Sequence, residues 1–119
     1  MEIFRHAEAK VIPPGTVLFR EGDPGDTLYA IQAGRVELRV KERPIAVCGP
    51  NEIFGEMALV EEAPRSATAV TLEESRIAFI DRKHFLFLVQ NTPFFSIEVM
   101  KIMAARLRGM DAKFLAQPR

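Results

Sequence analysis

The sequence has one cysteine, no tryptophan, one tyrosine and two histidines in 119 residues. Cys48 alone cannot form an internal disulfide, which fits a reducing compartment and a cytoplasmic location. His6 and His84 are far apart, with no His-x-His spacing, so a metal enzyme is disfavoured. Cys48 lies in a short apolar stretch, where an inert buried thiol is more usual than a nucleophile. Lys+Arg and Asp+Glu both number 16, so no net charge marks the chain as a basic nucleic-acid module or an acidic tail. The longer apolar runs, such as Phe85-Leu86-Phe87-Leu88-Val89, fall far short of a membrane span. Met1-Glu2-Ile3-Phe4-Arg5-His6 has no hydrophobic signal stretch.

Hydrophobic residues make up 48% of the chain and nine are Phe, enough for a real core in one domain spanning 1–119. Six of the seven glycines and five of the eight prolines lie at or before Gly55, so turns crowd the first half. Glu2 to Glu8 is compatible with a short helix. Val11-Ile12 leads into the turn Pro13-Pro14-Gly15, and Val17-Leu18-Phe19 reads as a strand. Glu21-Gly22-Asp23-Pro24-Gly25-Asp26 is a dense turn cluster before the strand Thr27–Ile31. After Ala33-Gly34, Arg35–Lys41 alternates cleanly, with Val36, Leu38 and Val40 facing in. Arg43-Pro44 is expected to turn into Ile45-Ala46-Val47-Cys48. Strands are also expected over Ser66–Leu72 and Arg76–Ile80, joined at Glu73-Glu74. Short strands at this spacing suggest an antiparallel barrel, sandwich or jelly roll.

The pattern then turns helical. Asp81 is a good N-cap for Arg82–Gln90, and Thr92 with Pro93 opens a longer helix. In that helix Phe95, Val99, Met100, Ile102, Met103, Leu107, Met110 and Phe114 share one wide apolar arc, with Arg106 inside it. Gly109 is a weak point. The arc extends beyond what one contact needs, which suits either a lid or a partner helix in a homodimer.

The stretch that carries chemistry runs from Ile53 to Ala69. Gly55 permits backbone shapes closed to other residues, and Glu56 to Val60 can form a helical turn whose free N–H groups attract an anion. Arg65 presents a planar fork for phosphate oxygens, and Pro64 restricts the approach to it. A carboxylate and a guanidinium at one site suit a ligand with hydroxyls and a phosphate. Spacing alone fits an ordinary surface Glu–Arg pair better.

Gly55-Glu56-Met57-Ala58-Leu59 followed by Pro64-Arg65-Ser66-Ala67-Thr68 resembles the phosphate-binding cassette of cyclic nucleotide-binding domains. That family includes catabolite activator proteins, regulatory subunits of cAMP-dependent protein kinase and cyclic nucleotide-gated channels. Glu21 to Tyr29, followed by Gly34-Arg35-Val36, is similar to the family's strand–turn–strand segment. The resemblance implies a mainly β fold: an antiparallel eight-stranded β-roll, jelly-roll-like, with a short N-terminal helix (1–8) and two C-terminal helices (82–116). The roll would cover 9–81 and the cassette 54–68.

The resemblance also implies a ligand, cAMP with cGMP possible, and roles for residues. Glu56 would bind the ribose 2′-hydroxyl and Arg65 the cyclic phosphate. Phe54, Gly55, Met57, Ala58, Ser66 and Ala67 would complete the cassette. Leu38, Ile45 and Cys48 would line the purine pocket, with Arg106, Met110 and the neighbouring Asp111 near the base. Ser66, where Thr tends to accompany cGMP, leans to cAMP. The expected function is a non-enzymatic sensor whose ligand shifts the C-terminal helices. The alternatives are the same fold as a ligand-free docking module, or the sensor half of a transcription regulator. Neither membrane insertion nor specific nucleic-acid binding by this chain alone is expected. Lys101, Arg106, Arg108, Lys113 and Arg119 are interspersed with acids rather than forming a stripe.

Overall fold

The computed structural model describes residues 8–56, 58–59, 63–91, 94 and 96–104. Residues 1–86 and 87–119 form two compact units. Among the described residues, eight strands and a helix are bounded as β1 (Ala9–Ile12), β2 (Val17–Phe19), β3 (Thr27–Ala33), β4 (Val36–Val40), β5 (Arg43–Cys48), β6 (Ile53–Phe54), β7 (Thr68–Thr71), β8 (Ser75–Asp81) and α1 (Arg82–Asn91). Residues 96–104 are also helical. The N-terminal helix expected over 1–8 falls almost wholly outside the described residues.

Two four-stranded antiparallel sheets, ordered β1-β8-β3-β6 and β2-β7-β4-β5, make the roll. Their inner faces meet in a core of Tyr29, Ile31, Val36, Cys48, Phe54, Ala69 and Ile77, with Ile12, Leu18, Phe19 and Leu38 packed against it. The alternation read along β4 is what produces this. Val36 is buried opposite Cys48 and Thr71, while Glu37 and Arg39 point away and pair at 2.6 Å. In the first sheet the alternate residues Leu28, Ala30, Ile53, Ala78 and Ile80 are also buried, so both faces of that sheet are covered.

The turn expected at Arg43-Pro44 lies two residues earlier. Lys41 and Glu42 take positive φ (51° and 67°) and join β4 to β5 as a two-residue hairpin. Pro44 belongs to β5, an edge strand, where a missing N–H is tolerated. Opposite it the register slips: Leu38 pairs with Ala46 and Arg39 with Pro44, leaving Ile45 as an extra residue. β6, only two residues long, was not expected as a strand; it pairs with Tyr29 and Ala30 of β3.

Asp81 caps α1 as expected, its Oδ1 accepting from the His84 N–H at 2.8 Å. In residues 96–104, Val99 is buried and Ile102 and Met103 are half-buried. Met100, at the edge of the expected apolar arc, is exposed. Phe95, Leu107, Gly109 and Phe114 lie outside the described residues.

Gly34 ends β3 with φ of +95°, and a Cβ there would sit 2.1 Å from Ser75 Oγ and 2.7 Å from Ser75 Cα. Ser75 is buried at the start of β8, with its hydroxyl donating to the Glu73 carbonyl. Gly34→Ala is expected to lower stability by roughly 2–4 kcal/mol, from left-handed strain plus the clash with backbone. Equilibrium urea unfolding measures it.

Candidate functional site

The site is built around one buried cation. Arg65 is 6% exposed, and four contacts hold it. Its backbone N–H donates to the Asp23 carbonyl at 2.8 Å, and its own carbonyl accepts from the Gly22 N–H at 2.8 Å. Its Nη1 donates to the Gly55 carbonyl at 2.9 Å and its Nη2 to the Thr27 carbonyl at 2.8 Å. The segment before β7 is thereby tied both to the β2–β3 turn and to the residue following β6.

Glycine makes the approach possible. Gly55 has φ of +79°, and a Cβ there would lie 2.9 Å from Arg65 Nη1 and 3.1 Å from Tyr29 Cδ2. At Gly25 a Cβ would fall 2.3 Å from Arg65 Nε and 2.5 Å from Nη2. The guanidinium thus lies directly against the Gly25 backbone. The turn carrying Gly25 is closed by Asp23, whose carboxylate accepts from the Arg20 N–H and whose N–H donates to the Arg20 carbonyl.

Aromatic rings complete the surroundings. Arg65 Cζ stands 4.2 Å from the Phe19 ring centroid and 5.6 Å from that of Tyr29. Tyr29 stacks on Phe54 at 5.1 Å and meets Phe79 edge-on at 4.9 Å. Burial raises the Tyr29 hydroxyl above its ordinary pKa, opposed by the Arg65 charge and supported by Asp26. The ring is therefore neutral at physiological pH.

One donor has no acceptor: Arg65 Nε is buried without a hydrogen-bond partner among the described residues. A guanidinium carries five N–H donors, so the two carbonyl bonds still leave donors for an anionic oxygen acceptor. Glu56 directly follows Gly55 and is 5% exposed. Its carbonyl accepts from the Leu59 N–H at 3.0 Å, opening the short helical turn at 58–59. The fold thus brings a buried carboxylate-bearing residue next to the carbonyl that holds a buried guanidinium.

Of the other expected site residues, Phe54, Ala58 and Ala67 are buried, Ser66 is exposed, and Met57 lies outside the described residues. Cys48 belongs to the interior core and Leu38 packs against it. Ile45, the bulged residue, is 52% exposed and sits apart from that cluster. Arg106, Met110 and Asp111 lie outside the described residues. Sequence reasoning missed Phe19, Gly25, Thr27 and Tyr29 as neighbours of Arg65. The usable signal was the inward alternation of Phe19 and Tyr29 on either side of the glycine-rich turn. An open depression of about 410 Å³ between that turn and Arg82 is lined by neither Glu56 nor Arg65.

A β-roll with a buried arginine and a buried glutamate after β6 is an arrangement that could hold an anion bearing hydroxyl groups. Residues 9–92 match the family model of the cyclic nucleotide-binding domain, and the chain belongs to that family. It is 35% identical over 109 residues to the Cyclic AMP receptor protein of Thermus thermophilus, covering 87% of this chain and 50% of that protein. It is 35% identical over 80 residues to the cAMP-dependent protein kinase regulatory subunit of Pyricularia oryzae, covering 66% of this chain and 20% of that one. A cyclic nucleotide-binding domain from Methylobacillus flagellatus superposes with a TM-score of 0.80 at 28% identity, covering 93% of this chain and 67% of that one. The chain spans at most about half the length of these two curated relatives.

Gly25→Ala tests the placement of Arg65. The Gly25 φ lies outside the left-handed region, so alanine strains no backbone there, and the atoms it meets are the guanidinium end of Arg65, which must leave its carbonyl partners to make room. The guanidinium is expected to shift while the fold persists. The melting temperature should fall by several degrees, the scale of a lost buried hydrogen bond, and binding of an anionic ligand at Arg65 should weaken about tenfold or more. Calorimetric titration measures the loss.

Proposed function

We propose that this chain is a single, non-enzymatic sensor domain that binds cAMP, with cGMP a weaker ligand, at the segment 54–68. The observation that carries this reading is the buried Arg65 Nε–H with no acceptor among the described residues, together with the buried Glu56 that directly follows Gly55, whose carbonyl holds Arg65 Nη1. A cyclic phosphate bears one negative charge and offers oxygens to that donor, so one guanidinium balances it. Glu56 accepts from the ribose 2′-hydroxyl. Backbone N–H groups around Gly55, Glu56, Ser66 and Ala67 share the phosphate and ribose with Phe54, Met57 and Ala58 alongside. The purine takes an apolar slot beside Leu38 and Cys48, with Ile45 at the bulge; the expected Arg106 and Met110 lie outside the described residues. Ser66, rather than Thr, supports the preference for cAMP. The names of the relatives, a cyclic AMP receptor and a cAMP-dependent kinase subunit, support it too.

In this reading the output is positional. Ligand at the cassette shifts the helices of 82–116, by no more than its differential affinity for the two arrangements. A homodimer through the C-terminal helix, or an output domain, receives the shift. No helix among the described residues is long and apolar enough to cross a membrane, and a cytoplasmic setting with no specific nucleic-acid binding by this chain alone completes the proposal.

Titration with cAMP is expected to show about one molecule per chain and a raised melting temperature. The absence of both heat and thermal shift with millimolar cAMP and cGMP would overturn it. Arg65→Ala is expected to weaken binding by about 2–5 kcal/mol, and to lower stability by roughly 1–3 kcal/mol because two buried carbonyls lose their donors. Glu56→Ala is expected to cost about 1.5–3 kcal/mol of binding. Unchanged affinity in both variants would place the site elsewhere.

Amide hydrogen exchange over residues 106–115 reads the coupling. Greater protection with cAMP supports it, and equal protection in both samples removes it.

A further inference from the structure

The two carbonyl bonds restrain the edges of the Arg65 guanidinium at Nη1 and Nη2, but neither fixes the tilt of its plane. That tilt decides where the Nε–H points. The Gly25 backbone bounds the guanidinium without attracting it, and the aromatic group placed to set its tilt is the Phe19 ring, 4.2 Å from Cζ to centroid. A register shift in β2 between Val17 and Phe19 brings Phe19 opposite the fully buried Ala69 of β7. The ring is itself braced by Tyr29 at 5.5 Å and Phe54 at 6.0 Å. A face of negative quadrupole close to a desolvated cation attracts it. An aliphatic side chain of similar bulk fills the space without that attraction.

We propose that Phe19 is a positioning residue for ligand phosphate: its ring holds the Arg65 guanidinium in the orientation that presents Nε–H. This rests on the proposed reading of Arg65 as the phosphate contact. Phe19 touches Arg65 and need not touch the ligand.

The test pairs calorimetric titration of cAMP with nuclear magnetic resonance of the Arg65 Nε–H group in the unliganded chain. Phe19→Leu is expected to weaken cAMP binding about fivefold, the equivalent of about 1 kcal/mol, or half a desolvated cation–ring contact, since only the orientation of Arg65 and not its presence is lost. Phe19→Tyr, which keeps the ring, should restore most of the affinity. In an Arg65→Gln background, Phe19→Leu should change the remaining affinity less than twofold, because there is no cation left to orient. The Arg65 Nε–H resonance should show the ring's shielding in the unaltered chain and in Phe19→Tyr, and lose it in Phe19→Leu.

An equal loss of affinity in both backgrounds, or an unmoved Nε–H resonance and unchanged affinity in Phe19→Leu, would overturn the proposal. Should the Leu variant fail to fold, Phe19→Met takes its place with the same expectations. If the unaltered chain bound no cyclic nucleotide, the functional reading itself would fall. The resonance measurement would then still decide whether Phe19 orients Arg65.

Discussion

A guanidinium charge buried inside a small β-roll is the constraint around which this domain is arranged. Taking a cation out of water costs several kcal/mol unless hydrogen bonds and nearby negative potential replace the lost hydration. Arg65 finds both in part. Two carbonyls, of Gly55 and Thr27, accept from its ends, and the Phe19 and Tyr29 rings present their electron-rich faces. Among the described residues the replacement is incomplete at Nε. The fold thus carries a partly compensated positive charge in its interior, and that is the physical condition for binding an anion there.

The same contacts explain why segments distant in sequence depend on one another. The turn between β2 and β3 has little apolar surface of its own, since Gly22, Asp23, Pro24 and Gly25 offer almost none. It is ordered by backbone bonds to Arg65 and by the Asp23 carboxylate closing on Arg20. Thr68 extends the joint, its hydroxyl accepting from the Glu21 N–H, and Glu21 in turn accepts from the Lys41 N–H of the β4–β5 hairpin. A displacement of Arg65 therefore reaches the β2–β3 turn directly and the β4–β5 turn through one further residue. The glycines at 25 and 55 are sequence requirements of the cation's position, because any side chain there would occupy the space the guanidinium fills.

Much of the roll was legible because its signals are local. β4 alternates charge against Val and Leu, so its facing could be read residue by residue, and Asp81 before an apolar run announced the start of α1. Glu56 and Arg65 stood out for a different reason: the surrounding motif is specific, although the pair alone is common. What escaped has physical causes. β6 is two residues long, too short for any period to register. The hairpin turn at Lys41-Glu42 was hidden because neither residue is one that favours positive φ, while Arg43-Pro44 offered a louder turn signal. The bulge that turns Ile45 outward arises from pairing across two strands, which no single segment encodes. The ring under Arg65 is a contact between β2 and the chain preceding β7, visible only once the sheets are formed.

A preformed arginine changes what ligand binding has to accomplish. An exposed arginine loses substantial side-chain freedom when it closes on a phosphate, and that loss subtracts from affinity. Arg65 has already lost it on folding, since both ends of the guanidinium are bonded and its plane lies near a ring. The desolvation has also been met during folding. An incoming anion then gains a charge-assisted bond at Nε while little of the protein is reorganised locally. Such a site favours affinity at modest conformational cost in the roll. Any larger rearrangement must originate from groups the ligand touches elsewhere, because an arginine already in place has little displacement to transmit. By that argument the phosphate end of the site anchors the ligand. On the proposed reading, the ribose end at Glu56, directly after Gly55, and the purine end are where ligand binding can bias one arrangement of the domain over another.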